Sequence, residues 1–174
     1  MFDLTGKKAL ITGASGGIGS SIAKALHGQG ATLAISGTRR EALDALASEL
    51  GGERVHITPC NLSDLEAVDA LPKEASEAMG GLDILVNNAG VTHLPAAMED
   101  VTESEFDRVL AVNAKSVYLT ARHVVPHMKN RGTGAILNIA STAGVSPRPR
   151  LNWYNASKGW MITATKAMAV ELAP

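Results

Sequence analysis

The sequence predicts a doubly wound α/β fold, a parallel sheet covered by helices on both faces. Three observations predict it: short apolar runs alternate with longer segments of helical period, the first run leads through a glycine-rich turn into a helix, and no internal repeat breaks the alternation. Strands covered on both faces read as continuous apolar runs, and right-handed crossovers join them in parallel.

The elements follow in order. Lys8 to Thr12 reads as a strand, Thr12 to Gly19 as a glycine turn, and Gly17 to Gln29 as a helix. Ala31 to Ser36 is a second strand, followed by a helix over Arg40 to Leu50 with Leu43, Leu46 and Leu50 at helical spacing. Val55 to Thr58 is a third strand. Ser63 or Asp64 then supplies the cap of a helix running to about Met79. Leu82 to Val86 is the fourth strand. Thr102 and Glu105 have the form of a capping box opening a helix through Val112, and a long helix follows from about Ala114 to Lys129, with Pro126 near its end. Ala135 to Ala140 is the fifth strand. A loop from Gly144 to Asn152, rich in proline and arginine, precedes a helix over Trp153 to Leu172 that ends at Pro174.

Size and charge narrow the possibilities. A chain of 174 residues suits one domain, 1–174, which can bury about 70% of the surface that its unfolded form exposes. The net charge of −1 is scattered, leaving no basic footprint for nucleic acid and no polybasic membrane anchor. Cys60 is the single cysteine; it excludes an internal disulfide, suits a reducing compartment and reads as a small core residue. The first residues lack a charged segment followed by an apolar stretch, and no apolar run nears the ~20 residues of a spanning helix. A cytoplasmic location is therefore expected.

Gly13, Gly17 and Gly19 fall where a strand gives way to a helix, with Ser15 and Ile18 inside the same turn. Missing side chains there let the backbone turn sharply and approach a pyrophosphate at the positive helix end. The spacing Gly-x-x-x-Gly-x-Gly differs from the commonest dinucleotide fingerprint, and tight turns use glycine in any case. At the end of the second strand, where an acid would hold a ribose 2′-hydroxyl, stands Ser36-Gly37-Thr38-Arg39-Arg40. Thr38 can donate to a 2′-phosphate and Arg39 can pair with its charge, which favours NADP(H) over NAD(H); Arg40 is the weaker candidate. Both arginines also suit a solvated helix start.

Tyr154 and Lys158 are four apart, on one face of the last helix. An ammonium beside a phenol favours the phenolate and lowers a pKa that is about 10 in isolation, fitting the tyrosine for proton exchange. Other residues have plainer readings alone: Ser141 as a strand-end turn, Asn113 at a junction of two helical segments, Asn88 as a turn residue. His123 and His127 have the spacing of a metal pair but lack the glutamate of a zinc-protease motif, so a solvated or interface face is expected and no metal site is predicted. His93, just past the glycine-ended fourth strand, is a weak candidate for facing a substrate.

With Asn87-Asn88-Ala89-Gly90 closing the fourth strand, Asn113, Ser141 and Tyr154-x-x-x-Lys158, the whole chain resembles the short-chain dehydrogenase/reductase family. The resemblance implies a Rossmann-type sheet of order 3-2-1-4-5. It implies Tyr154 as catalytic acid or base, Lys158 holding the ribose hydroxyls and lowering the tyrosine pKa, Ser141 bonding the substrate oxygen, and Asn113 holding a relay water. Asn61 and Leu62 would border the adenine; Asn87, Ala89 and Gly90 would border its ribose and the middle of the cofactor.

The N-terminal half is most similar to 3-oxoacyl-acyl-carrier-protein reductases. The C-terminal half is more similar to members acting on alcohols, sugars or ketones, as in a divergent member or a hybrid. The expected substrate is a small-molecule carbonyl or a 3-oxoacyl thioester. Family members continue past the last helix into further strands and a substrate-covering segment. Without these the fifth strand is an open edge, and a homo-oligomer is expected. Two functions follow: an NADP(H)-dependent carbonyl reductase with an open pocket, or a truncated or engineered fragment that binds cofactor and associates without useful turnover.

Overall fold

The computed structural model describes residues 2–173. Five parallel strands, β1 (Lys8–Ile11), β2 (Thr32–Ile35), β3 (Val55–Ile57), β4 (Ile84–Asn87) and β5 (Ala135–Asn138), lie in the order β3-β2-β1-β4-β5. The expected order 3-2-1-4-5 is the one found. Six helices connect and cover them: α1 (Gly17–Gly28), α2 (Arg40–Glu49), α3 (Leu65–Met79), α4 (Glu103–Leu110), α5 (Ser116–Arg131) and α6 (Asn152–Leu172). Pro174, the expected stop of the last helix, lies outside the described residues.

Alternation along the central strand separates two cores. Leu10 of β1 and Leu85 of β4 face Val68, Leu71 and Ala75 of α3 and Leu119, Val124 and Met128 of α5. Ala9 and Ile11, one residue either side of Leu10, face Ala23 of α1 and Leu43 and Leu46 of α2. Each strand thus needs apolar residues at consecutive positions, which is why the runs are continuous.

Caps fix the helix starts. Of the two candidates for the α3 cap, Asp64 takes the role, accepting from the amides of Glu66 and Ala67 at 3.1 Å each. Thr102 caps α4 by accepting from the Glu105 amide at 3.2 Å; its hydroxyl donates to the Glu105 carboxylate at 3.3 Å, so the pair meets through side chains and not through the backbone N–H of a capping box. The two helical segments expected around Asn113 are continuous: a π turn over Ala111–Lys115 joins α4 to α5. Short 3₁₀ turns at Met98–Asp100 and Thr142–Gly144 were not anticipated. No helix among the described residues is long and apolar enough to cross a membrane. At one edge of the sheet β5 has no buried residue, and Leu137 is 47% exposed.

Candidate active site

The carboxyl ends of β1, β2 and β4 open into a cleft of about 580 Å³. Its position is dictated by topology: the connections from β1 and β4 leave the sheet in opposite directions, and ligands of open parallel sheets bind where that divergence occurs. Gly13, Ser15, Gly17, Ile18, Gly19, Thr38, Arg39, Asn61, Leu62, Ala89 and Gly90 all line it.

The turn after β1 needs its glycines for separate reasons. Gly13 has φ +62°, and a Cβ there would lie 2.8 Å from the Ala89 Cα. A Cβ at Gly19 would lie 2.6 Å from the Asn88 side-chain nitrogen. At Gly17 a Cβ would meet nothing within 4 Å, so the cleft is open above the first turn of α1. The first amides of a helix have no intrahelical acceptor, and the Gly16 cap has no side chain to offer one. Those donors, with the helix dipole behind them, suit a pyrophosphate.

Asn88, read from sequence as a turn residue, holds this turn. Its side-chain nitrogen donates to the carbonyls of Thr12 at 2.8 Å and Gly13 at 3.0 Å. The Thr12 hydroxyl accepts from the amides of Asn88 and Ala89 at 3.1 and 3.2 Å. These bonds pin the end of β4 to the end of β1.

Asn87, expected to border the adenine ribose and the middle of the cofactor, is not among the residues that line the cleft. It is 4% exposed, its side-chain oxygen accepts from the Thr120 hydroxyl at 3.0 Å, and its nitrogen donates to Asn138 at 2.9 Å. Asn138 in turn donates to the Thr165 hydroxyl at 2.8 Å, tying β5 to α6. Adjacent residues at a strand end point to opposite sides, so only one of the two asparagines can face the turn after β1. The repeated letters carried no signal for which.

At the outer end, Thr38 and Arg39 are exposed, and the Arg39 guanidinium donates to the Ser15 carbonyl at 3.0 Å. Arg40 turns away to Asp44 at 3.0 Å and does not line the cleft. Asn61 accepts from the Ser63 amide at 3.0 Å beside buried Leu62. Cys60 is buried against the cleft, and burial, aided by Asp64 and Glu74, pushes its thiol up to about 11. Such a thiol is inert at neutral pH.

The four expected catalytic residues lie beyond Gly90, outside the cleft lining. Two of them converge on that glycine: a Cβ there would lie 3.2 Å from the Lys158 nitrogen and 3.5 Å from the Asn113 side-chain oxygen. Lys158 is 4% exposed and donates to the Ile139 carbonyl at 2.9 Å. Burial holds its amine below the ordinary lysine range. Asn113 is fully buried; it accepts from the Val91 amide at 2.9 Å and donates to the Val91 carbonyl at 2.8 Å and the Ser157 hydroxyl at 2.9 Å. Both of its N–H donors are therefore committed.

Ser141 caps the Thr142–Gly144 turn by accepting from the Ala143 amide at 3.1 Å, which leaves its hydroxyl proton for another acceptor. That turn packs on α6 so closely that a Cβ at Gly144 would lie 2.7 Å from the Lys158 carbonyl carbon. Tyr154 is half-buried one turn before Lys158, and its carbonyl accepts from the Ser157 hydroxyl at 2.7 Å. Ser157 and Val91 were missed by sequence reasoning, as was the part of the Thr12 hydroxyl: Val91 acts through its backbone, and the two hydroxyls bond partners distant in sequence, which leaves no residue pattern. His123 bonds Asp69 at 2.8 Å across α5 and α3, and His93 is buried with its Nδ1 on the Leu94 carbonyl at 2.8 Å.

The family described as short chain dehydrogenase matches residues 7–174. The chain belongs to that family. This short-chain dehydrogenase is 46% identical over 173 residues to Nodulation protein G of Rhizobium sp. (strain N33), covering 99% of this chain and 70% of the relative. It is 41% identical to a 4-formylbenzenesulfonate dehydrogenase of Comamonas testosteroni, covering 98% of this chain and 69% of that one. Its fold is similar to the crystal structure of a 3-ketoacyl-(acyl-carrier-protein) reductase from Brucella melitensis complexed with NADH, with 43% identity and a TM-score of 0.93. That match covers 99% of this chain and 72% of the other.

Proposed function

We propose that this short-chain dehydrogenase is an NADP(H)-dependent carbonyl reductase in which Ser141, Tyr154, Lys158 and Asn113 form the reacting end of the cleft. The observation that carries the reading is the convergence of Lys158 and Asn113 on Gly90, at the point where the cleft ends, with the Ser141 turn packed against the same helix. When bound, the dinucleotide supplies the hydride. The chain does the rest. Ser141 donates its free hydroxyl proton to the carbonyl oxygen, and Tyr154 transfers a proton to that oxygen as it becomes an alkoxide. Lys158, one helical turn after Tyr154, would hold the ribose hydroxyls of the dinucleotide.

A nicotinamide dinucleotide is supported by the family and by the NADH of the Brucella protein. The preference for a 2′-phosphate rests on Thr38 and Arg39 at the outer end of the cleft and on the lack of an acid there. A 3-oxoacyl thioester or other ketone as substrate is supported by the two relatives whose named substrates carry a carbonyl. Association of copies belongs to the same reading, supported by the open β5 edge, and sedimentation velocity tests it. A cytoplasmic location is supported by the lone, buried, free cysteine.

The test is NADPH oxidation with an acetoacetyl thioester, beside NADH and Tyr154→Phe. Turnover that prefers NADPH and drops at least about 100-fold in the variant is expected, with NADPH binding retained. A second reading, cofactor binding without turnover, is favoured by one observation: the cleft lining stops short of Tyr154. NADPH binding with no NADPH oxidation by any carbonyl would select it.

A further inference from the structure

We infer that Arg148 and Arg150 form a recognition edge for an oxyanion group, such as a carboxylate, carried by the carbonyl substrate. The inference rests on the proposed reductase site and names the class of substrate that the site takes. Of the eight arginines, Arg39, Arg40, Arg54, Arg108 and Arg131 donate to carbonyls or carboxylates of the fold, and Arg122 is exposed on α5. Arg148 and Arg150 are exposed and make no side-chain bond or ion pair among the described residues. Glu99 and Asp100, on the turn after Ala96, pair with neither.

Surface guanidiniums are ordinarily just solvated. These two differ in how their backbone is held and in where it lies. The loop that carries them runs from Ser141 to the helix turn of Tyr154, so both flank the proposed reacting groups. The Arg148 carbonyl accepts at 2.8 Å from Asn155, the residue after Tyr154. The Arg150 carbonyl accepts from the Ala96 amide at 3.0 Å, which ties the loop to the segment after β4. Arg150 also holds φ +63°, a conformation that a side chain other than glycine adopts only when its surroundings impose it. Trp153 packs edge-on against Phe106 at 5.2 Å, fixing the start of α6. With the backbone anchored at both residues, an arriving oxyanion has only two side chains to order. Arginine's planar fork then offers paired donors to it.

The test compares benzaldehyde with 4-formylbenzoate as substrates, using NADPH and the full chain, in wild type and in the double variant Arg148→Gln/Arg150→Gln. Wild type is expected to favour the carboxylate in kcat/KM by about tenfold, the size set by two partly screened charge pairs. Added salt should erode the preference, and the double variant should lose it while keeping its benzaldehyde kinetics and NADPH affinity. Equal rates for the two aldehydes in wild type, or a preference that survives the double substitution, would overturn the inference. If neither aldehyde turns over, titration with benzoate followed by amide NMR shifts decides the inference alone, and the acetoacetyl thioester assay decides the reductase reading. Shifts over residues 146–152 that vanish in the double variant support it; no shifts in wild type overturn it.

Discussion

The Asn113 side chain donates to the Ser157 hydroxyl at 2.9 Å, joining the π turn before α5 to the turn of α6 that carries Tyr154 and Lys158. The same side chain closes a ring of two bonds with the Val91 backbone. The π turn widens the helix at this position, and such turns concentrate at functional sites. Asn113→Ala would leave a half-buried amide and carbonyl at Val91 unpaired. A loss of about 2–4 kcal/mol in urea denaturation is expected, and a loss below about 1 kcal/mol would show that the bonds are dispensable.

Gly13 and Gly17 should respond in opposite directions to alanine. At Gly13 the left-handed backbone and the 2.8 Å approach to Ala89 make Gly13→Ala destabilising by more than about 1–2 kcal/mol. At Gly17 the space is open and the residue is helical, so Gly17→Ala should stabilise by about 0.5–1 kcal/mol. The added methyl points into the cleft lining, and NADPH affinity should fall. Thermal melts paired with cofactor titration separate the two effects.

Arg39 is the test of cofactor choice. Arg39→Asp replaces a cation with the carboxylate that would bind a ribose hydroxyl and repel a 2′-phosphate. The ratio of NADPH to NADH affinity should drop about 10- to 100-fold, read by fluorescence titration. An unchanged ratio would place the 2′-phosphate elsewhere.

Cys60 makes alkaline pH a probe of the fold. Its thiol titrates near 9.0 when free and about 11 in the fold, so the unfolded chain releases the proton first. The stability that the buried thiol preserves is full below pH 9 and is lost as pH rises through 11, reaching about 2–3 kcal/mol. Lys158 acts with the opposite sign, since burial penalises its charged form and the penalty fades as pH climbs toward 10.5. The difference between wild type and Cys60→Ala isolates the thiol: the variant should lose less stability between pH 8 and 10.5 in urea titrations. Parallel losses would mean that the thiol opens to solvent.

The five strands were legible because burial on both faces forces unbroken apolar runs, as in Leu33-Ala34-Ile35, whereas their order followed from the family resemblance. The glycine turn was legible because Gly13 and Gly19 answer steric demands that other residues cannot meet. The bonds of Asn87 were not legible, for a different reason. Strand period places neighbours on opposite sides, but which side holds the turn is fixed by packing of α5 and α6, through Thr120 and Asn138. The π turn at Asn113 was invisible as well, since Ala-Val-Asn-Ala-Lys is ordinary helical sequence and the extra residue is accommodated only by tertiary bonds to Val91 and Ser157.

The Thr12 hydroxyl, which donates to the Val86 carbonyl at 3.3 Å while accepting from the amides of Asn88 and Ala89, lies 2% exposed between the two central strands. Neither amide proton can leave for deuterium while β1 and β4 stay together. Their exchange rates therefore time the parting of the sheet at its middle, and a dinucleotide bound across that junction should slow them by the full free energy of its binding.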